Sequence, residues 1–414
     1  MGGGESRGDV IETAPRRAAG LLPFPLAVGA FVLTYWTVDI ASPALTEIQD
    51  DLELSDTVAG LIFSVFFAGR LIANFPAAFL ADRVGSRATA GLGAIILLAG
   101  SALAASAGNE YILLPARALQ GTGVSLLVLA ALLSTLRARP GDGAAMTIFN
   151  VAAGVGGACG LLSGGFLAGN VGWRSVFWLC AGIGTVLAAA AIVSREQGAS
   201  GSTSADTSTR SNLPREELSS APPPRRTLVT ALAANLLVYG NYSIFVVGLP
   251  LYADERFGAS SERIGTVLLV TNLVHLAGAL PSGRLVRRWG SNRTLIVSFG
   301  IVAAGMLLVL LAPSLIWVAP AMAVYAIGSV SSNIAAGDQL LRLGGQGGKA
   351  VGLVRLSSDV GLVLGPAAAG ALADVAGAEA PFVVLAAITV LVALVVAREG
   401  RRVRSVSGAV ISGV

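Results

Sequence analysis

Charge is what this sequence has least of. Asp, Glu, Lys and Arg make up 13% of its 414 residues, against roughly 25% in soluble globular domains. That is too little to coat a water-soluble fold of this length, and it excludes an ordinary cytosolic enzyme and a disordered chain. Histidine occurs once, at His275, which excludes a histidine-based metal centre. The two cysteines, Cys159 and Cys180, lie inside apolar stretches, as small core residues do, and they supply no disulfide framework. There is no phosphate-binding Walker loop, no metal-ligand cluster and no serine–histidine pair at credible spacing. An ATP-driven pump and an intramembrane enzyme therefore lack their machinery, and neither a cofactor nor a nucleic-acid partner is expected.

What the chain has instead is apolar length. With 54% hydrophobic residues, it contains stretches of bilayer length at 22–43, 56–80, 88–107, 111–136, 144–168, 174–193, 227–251, 260–283, 291–312, 315–337, 348–373 and 380–397. A helix rising 1.5 Å per residue needs about 20 residues to cross roughly 30 Å of hydrocarbon. The runs are longer than barrel strands and do not alternate in polarity, so helices are expected. Residues 194–226 break the pattern with a Ser/Thr/Gly-rich segment and three prolines, Pro222, Pro223 and Pro224, a composition suited to a flexible linker. The expected organisation is a tail at 1–21, a six-span bundle at 22–193, the linker, a second bundle at 227–398 and a tail at 399–414.

Basic residues set the expected orientation. They gather in the tails, the linker and alternate loops, while only Arg174, Arg256 and Arg263 fall in the opposite loops. The positive-inside rule then puts both termini in the cytoplasm, with the cell membrane as the location. The first opposite loop agrees: it holds Glu47, Asp50, Asp51, Glu53 and Asp56 and no base.

The halves repeat at an offset of 205 residues. Gly60 maps on Gly265, Pro76 on Pro281, Arg83 on Arg288, Gly85 on Gly290 and Thr89 on Thr294, and far downstream Gly156 on Gly361, Gly160 on Gly365 and Gly165 on Gly370. The fold expected is all-α, with twelve transmembrane helices in two pseudosymmetric six-helix bundles in parallel repeat, around a midplane site.

Charges inside spans point to function, because each costs about 2.5–3.5 kcal/mol near the bilayer centre unless paired or wet. Asp39, Arg70, Arg117, Arg355 and Asp359 are such residues. Asp39 is the first choice for a proton-carrying group, with Asp359 as the other acid; a static Asp39–Arg70 ion pair is the competing reading. Arg70 with Asn74, and Arg355 with Asp359, are i and i+4 pairs on one helix face, and Arg117 shares a face with Gln120. Trp36, Arg70, Asn74, Gln120, Tyr239, Asn241, Asn272, His275, Asn333 and Arg355 are the candidate substrate-cavity residues, though scattered polar residues in spans also serve as interhelical bonds. Asp338 is read as capping its helix near Arg342 and Lys349. Gly156, Gly160 and Gly164, with Gly361, Gly365 and Pro366, form smooth faces read as the sliding surface between the halves.

At this point the sequence resembles the major facilitator superfamily. Leu80-Ala81-Asp82-Arg83-Val84-Gly85-Ser86-Arg87 is similar to its cytoplasmic signature, with Ala78 where that signature has glycine. The second copy keeps Gly283 and Gly290 but has Arg287 at the acid position. Arg117-Ala118-Leu119-Gln120-Gly121 resembles a motif of proton-linked members. Gly156 to Gly165 resembles the antiporter motif with Leu161 in place of proline, which Pro366 restores in the second half, and Trp173-Arg174-Ser175-Val176-Phe177 matches drug-exporting relatives. The resemblance covers residues 22–398. It implies a latch built from Asp82, Arg83, Gly85, Arg87 and Gly290, a role for Arg117 in proton transfer or in a bond to a first-span backbone group, and proton-coupled export of a small lipophilic molecule by a monomer in the bilayer, driven by the proton gradient. Import by symport or uniport, and a non-transporting sensor or scaffold, are the alternatives.

Overall fold

A computed structural model describes residues 22–138, 144–194, 225–344 and 348–411. The expected N-terminal tail and nearly all of the linker lie outside the described residues.

The N-terminal half comprises α1 (Phe24–Asp39), α2 (Leu45–Asp51), α3 (Asp56–Val84), α4 (Ser86–Ala105), α5 (Glu110–Ala138), α6 (Ala144–Val171) and α7 (Trp173–Val193). The C-terminal half comprises α8 (Arg225–Gly240), a π-turn at Ile244–Gly248, α9 (Leu249–Phe257), α10 (Ser261–Trp289), α11 (Ser291–Leu310), α12 (Leu315–Gly344), α13 (Gly348–Ala376) and α14 (Ala380–Ile411). Among the described residues, eleven helical segments are long and apolar enough to cross a membrane, counting Arg225–Phe257 as one. The first span is the exception: α1 is apolar but has 16 residues. At the other end of the chain, α14 runs on to Ile411, so the expected tail from 399 is helical over most of its length.

The 205-residue repeat extends to the helix boundaries. Both α3 and α10 end on a glycine, Gly85 at φ 89° and ψ 158° and Gly290 at φ 80° and ψ 154°. Gly172 (φ 104°) and Gly377 (φ 83°) form a second repeat pair, ahead of α7 and α14. Side chains essentially never enter the region occupied by Gly85 and Gly290. Gly85→Ala and Gly290→Ala should each lower stability by about 1–3 kcal/mol. Gly29→Ala, in a helix with open space around it, is the control in thermal unfolding.

Both halves break their first span at the same level, and proline explains each break. Pro43 has no N–H for the Asp39 carbonyl, which Ser42 N takes at 3.0 Å, closing a tight turn. Pro250 likewise offers nothing to the Val246 carbonyl, and Ser42 Oγ of the other half donates to it at 3.1 Å. The residue that turns the chain in one half thus satisfies a freed carbonyl in the other.

Within the N-terminal half α4 packs on α5 and α7, α3 on α5, and α1 on α6; the C-terminal half repeats this with α11 on α12 and α14, α10 on α12, and α8 on α13. The halves meet through α3 against α13 and α6 against α10, again one contact used twice. Outward faces carry exposed Phe75, Tyr111, Ile192, Trp317 and Val375, the composition of a surface solvated by lipid.

Below, the linker end is the end of the bundle where α3 meets α4 and where α7 leads into the linker; the far end is the opposite one. At the far end Asp51 accepts from Trp173 Nε1 (3.1 Å) and Arg174 Nη1 (2.7 Å), fastening α7 to α2. These bonds, that from Arg174 first, hold the Asp51 carboxyl below its usual range.

Candidate functional site

Between the halves lies a cavity of about 460 Å³. Its wall takes Tyr35 and Asp39 from α1, Phe67 and Arg70 from α3, and Phe149 and Asn150 from α6. Across from these stand Tyr239, Tyr242 and Phe245 from the broken seventh span, Thr271, Asn272 and His275 from α10, and Tyr325 and Asn333 from α12. The aromatic rings dominate. Phe67 meets Tyr242 edge-on at 6.1 Å, Tyr242 lies 5.6 Å from Phe245, and Tyr35 meets Phe149 edge-on at 5.5 Å.

Asp39 occupies the last residue of α1, where the proline break ends the helix. It is 8% exposed. Tyr242 of the opposite half donates its hydroxyl to Asp39 Oδ1. Gly157 makes room beside it: a Cβ there would stand 3.0 Å from Asp39 Oδ2 and 3.2 Å from Asn272 Nδ2. The Asn272 amide oxygen is buried with no hydrogen-bond partner among the described residues.

The other buried acid is held differently. Asp359 accepts from Asn74 Nδ2 at 2.8 Å and from Arg70 Nη2 at 3.3 Å, and Arg355 Nε stands 3.5 Å away. Ser125 Oγ in turn donates to Asn74 Oδ1 at 2.7 Å. The static Asp39–Arg70 pair is therefore absent, and Arg70 reaches across the halves to Asp359 instead. The i,i+4 pairing of Arg355 with Asp359 is present.

Several sequence-based placements are corrected. Arg70, Tyr239, Asn272, His275 and Asn333 line the cavity, and Asn74 and Arg355 stand beside it through Asp359. Trp36 does not line it: its Nε1 donates to Ser163 Oγ on α6 at 2.8 Å. Asn241 turns away to Thr389 on α14 at 3.0 Å. Arg117 and Gln120 are sealed inside the N-terminal bundle. Arg117 donates to the Ile62 carbonyl (3.2 Å) and to Gln120 Oε1 (2.8 Å), and Gln120 donates to Ser101 Oγ (2.8 Å), tying α3, α4 and α5 together. The Arg117 guanidinium lies 4.6 Å from the Phe66 ring centre. An apolar helix face presented to α4 and the same face presented to a cavity read alike in sequence, which is why Gln120 was misplaced.

The glycine motifs are corrected as well. Cβ atoms at Gly156, Gly160 and Gly164 would collide with carbonyls of Val32, Trp36 and Ile40 on α1, and at Gly361 and Gly365 with those of Leu236 and Gly240 on α8. These faces seat the first span within each half and so position Asp39; they are not the sliding surface. Of that set only Pro366 reaches the other half, through its carbonyl against Gly60. The glycines that meet backbone to backbone across the halves are the repeat pairs Gly60 with Gly370 and Gly265 with Gly165. With Thr57 Oγ1 donating to Asp374 Oδ2 at 2.7 Å and the Ser42–Val246 bond, they seal the far end.

Toward the linker end, no cross-half hydrogen bond joins described residues beyond Asn74. The latch residues accordingly do not bridge the halves in this conformation. Asp82 is exposed. Arg83 stacks 4.0 Å from the Phe79 ring centre, and Arg87 donates to the Ala191 and Ile192 carbonyls at 2.7 Å, capping the end of α7. Asp338, also near this end, accepts from Ser291 Oγ and from Arg342 Nε, the latter at 2.7 Å.

Sequence reasoning missed Gly157, Tyr35 and Phe67. Gly157 stood beside Gly156 without belonging to its four-residue spacing, and aromatic residues in apolar spans carry no signal of which way they face.

Comparison with known proteins adds a family model described as Major Facilitator Superfamily, which matches residues 27–343. The puromycin resistance protein pur8 of Streptomyces alboniger is 34% identical over 166 residues, 39% of this chain and 32% of that protein. Multidrug resistance protein MdtL of Vibrio parahaemolyticus is 27% identical over 276 residues, 64% of this chain and 67% of that one. This chain spans about a third of the length of the first curated relatives it matches. Among solved structures, a bacterial homologue of the human lysosomal transporter Spinster, in an inward-facing and occupied conformation, has a TM-score of 0.73 at 17% identity. That match covers 91% of this chain and 96% of the other. At such identity the likeness is one of fold.

Proposed function

We propose, for a chain that belongs to the major facilitator superfamily and is a multi-pass membrane transporter, that it exports a small lipophilic molecule in exchange for protons by alternating access. The observation that carries this reading is the contrast between the two buried acids. Asp359 is engaged by arginines, whereas among the described residues Asp39 is bonded by a tyrosine hydroxyl and by no arginine, and it faces the cavity. A proton can join or leave Asp39 without breaking an ion pair.

Each protonation state of Asp39 has a partner from the other half. Ionised, the carboxylate accepts from Tyr242. Protonated, it becomes a donor, and a flip of the Asn272 amide, whose nitrogen lies on the Asp39 side and whose oxygen lacks a partner, would give it an acceptor. Both partners belong to the C-terminal half, so the proton bears on how the halves fit together. The surrounding rings suit an apolar or aromatic body, and a substrate ammonium would compete with the proton for the carboxylate. The basic residues of the linker end support a cytoplasmic position for it, with the cell membrane as the location. The names of pur8 and MdtL favour export of toxic compounds.

Flux in proteoliposomes under an imposed pH gradient tests this reading, with dyes, antibiotics, sugars and amino acids as candidate substrates. Wild type should move a lipophilic compound uphill against the proton flow, and Asp39→Asn should lose at least tenfold of that uphill flux. Flux along the proton's direction would make the protein an importer. Uphill flux undiminished in Asp39→Asn would remove Asp39 from the coupling. No flux with any compound would favour a sensor or scaffold.

A further inference from the structure

The lipid-facing surface holds a second cavity that the transport reading does not use. It is a groove of about 580 Å³ between α10 and α12 at the far end, within the range of about 300–1,000 Å³ typical of ligand sites. Arg263 and Ser314 stand at its rim, and Val267, Val270, Ile316 and Ala319 lie along it.

Its polarity follows the membrane normal. Helix α10 begins at Ser261 and α12 at Leu315, so Arg263 and Ser314 sit at the bilayer surface. Val270, seven residues beyond Arg263, is about 10 Å deeper at 1.5 Å per residue. Exposed Trp317, in the first turn of α12, marks the interfacial level where such side chains settle. The groove therefore offers a cation at headgroup depth and an apolar channel at acyl-chain depth.

The rim charge is uncompensated. Arg263 is exposed and has no ion pair or hydrogen bond with any described residue. Arg174, at the same end, is by contrast held by Asp51. Neither nearby acid pairs with it among the described residues: Glu262 leaves α10 on the α6 side, its Cβ 3.7 Å from where a Gly169 Cβ would be, and Glu255 Oε2 accepts from Ala378 N at 3.3 Å.

We infer that this groove is a binding site for an anionic phospholipid of the far leaflet. Its phosphate pairs with Arg263 beside the Ser314 hydroxyl, and one acyl chain runs along Val267, Val270, Ile316 and Ala319. An ammonium headgroup would find no acid at the rim, so the anionic lipid is preferred. The site has a mechanical consequence. Helix α10 presents Gly265 to the far-end seal and Asn272 and His275 to the cavity, so a lipid lodged against it braces α10 on α12 in this conformation.

The test uses the full-length protein, delipidated in detergent, with thermal unfolding and native mass spectrometry on titration with phosphatidylglycerol, phosphatidylcholine or inorganic phosphate. Phosphatidylglycerol should be retained and raise the Tm, phosphatidylcholine should bind at least tenfold more weakly, and inorganic phosphate at the same concentration should do nothing. Arg263→Gln should weaken phosphatidylglycerol at least tenfold. Val270→Trp, which fills the groove from an exposed position, should abolish retention while leaving the lipid-free Tm unchanged. Equal retention of the two lipids, or unaltered binding by both variants, would reduce the groove to ordinary bilayer contact and overturn the proposal. A Tm rise with inorganic phosphate alone would also overturn it, in favour of a free-anion site.

Discussion

Asp359→Asn is expected to destabilise the protein by about 3–5 kcal/mol, the usual result of removing one partner of a buried ion pair. The Asp359 side chain is 3% exposed and that of Arg70 15%. Without the carboxylate charge, the Arg70 guanidinium keeps a neutral amide oxygen and the Phe67 ring, 5.7 Å from its carbon, and loses its ion pair. Arg355 is a lesser matter, because its side chain is 48% exposed, and Arg355→Gln should cost under about 1 kcal/mol. The double variant Arg70→Gln with Asp359→Asn should recover most of the loss, since no orphaned charge remains. Thermal unfolding of wild type, Asp359→Asn, Arg70→Gln and the double variant in one detergent measures the cycle. A cost below 1 kcal/mol for Asp359→Asn, or no recovery in the double variant, would mean that the cross-half ion pair does not hold Arg70 in the membrane.

Gly60→Val should hold the far end open, and its repeat mate Gly265→Val should do the same. A Cβ at Gly60 would collide with the Pro366 carbonyl and stand 3.1 Å from Gly370 Cα. At Gly265 it would stand 2.8 Å from the Leu161 carbonyl oxygen and 3.1 Å from Gly165 Cα. Backbone on both sides leaves nothing that can yield cheaply. Ser42 is the reporter, being fully buried at the seal. With Cys159→Ser and Cys180→Ser removing the free thiols, Ser42→Cys should react at least tenfold faster with a membrane-impermeant maleimide, applied to intact cells, when either valine is present. Gly91→Val, whose added Cβ meets only the Ala191 methyl at 3.6 Å, should leave labelling unchanged. If neither gate valine exposes Ser42→Cys, these glycine contacts are not what closes the far end.

How much was already written in the residues differs between fold and site. Asp39, Arg70 and Asp359 were identifiable because a charge in an apolar run is conspicuous on its own. Their partners were not. Arg70 was weighed against Asp39, yet it bonds Asp359, which lies 289 residues away. Gln120 and Trp36 read as cavity residues in the sequence, but they turn to Ser101 and Ser163. The glycine rows were recognised as close-packing faces, and that was right; the helix they pack against was not the one expected.

The sequence by itself determined the apolar helices and the repeat that sets nearly every helix boundary, because length, apolarity, proline and glycine act locally along the chain. It also determined which buried groups need a partner. Only the tertiary structure decided how each helix is rotated about its axis, and hence that Tyr242 meets Asp39, that Arg117 is sealed in one bundle, and that Gly60 and Gly265 rather than Gly160 and Gly365 join the halves. The physical reason is the solvent. In water, burial of an apolar stripe sets a helix's orientation. In a bilayer the lipid tails are as apolar as leucine, so an apolar face is equally content outward or inward, and the choice falls to backbone fit and polar pairing between segments far apart in the chain.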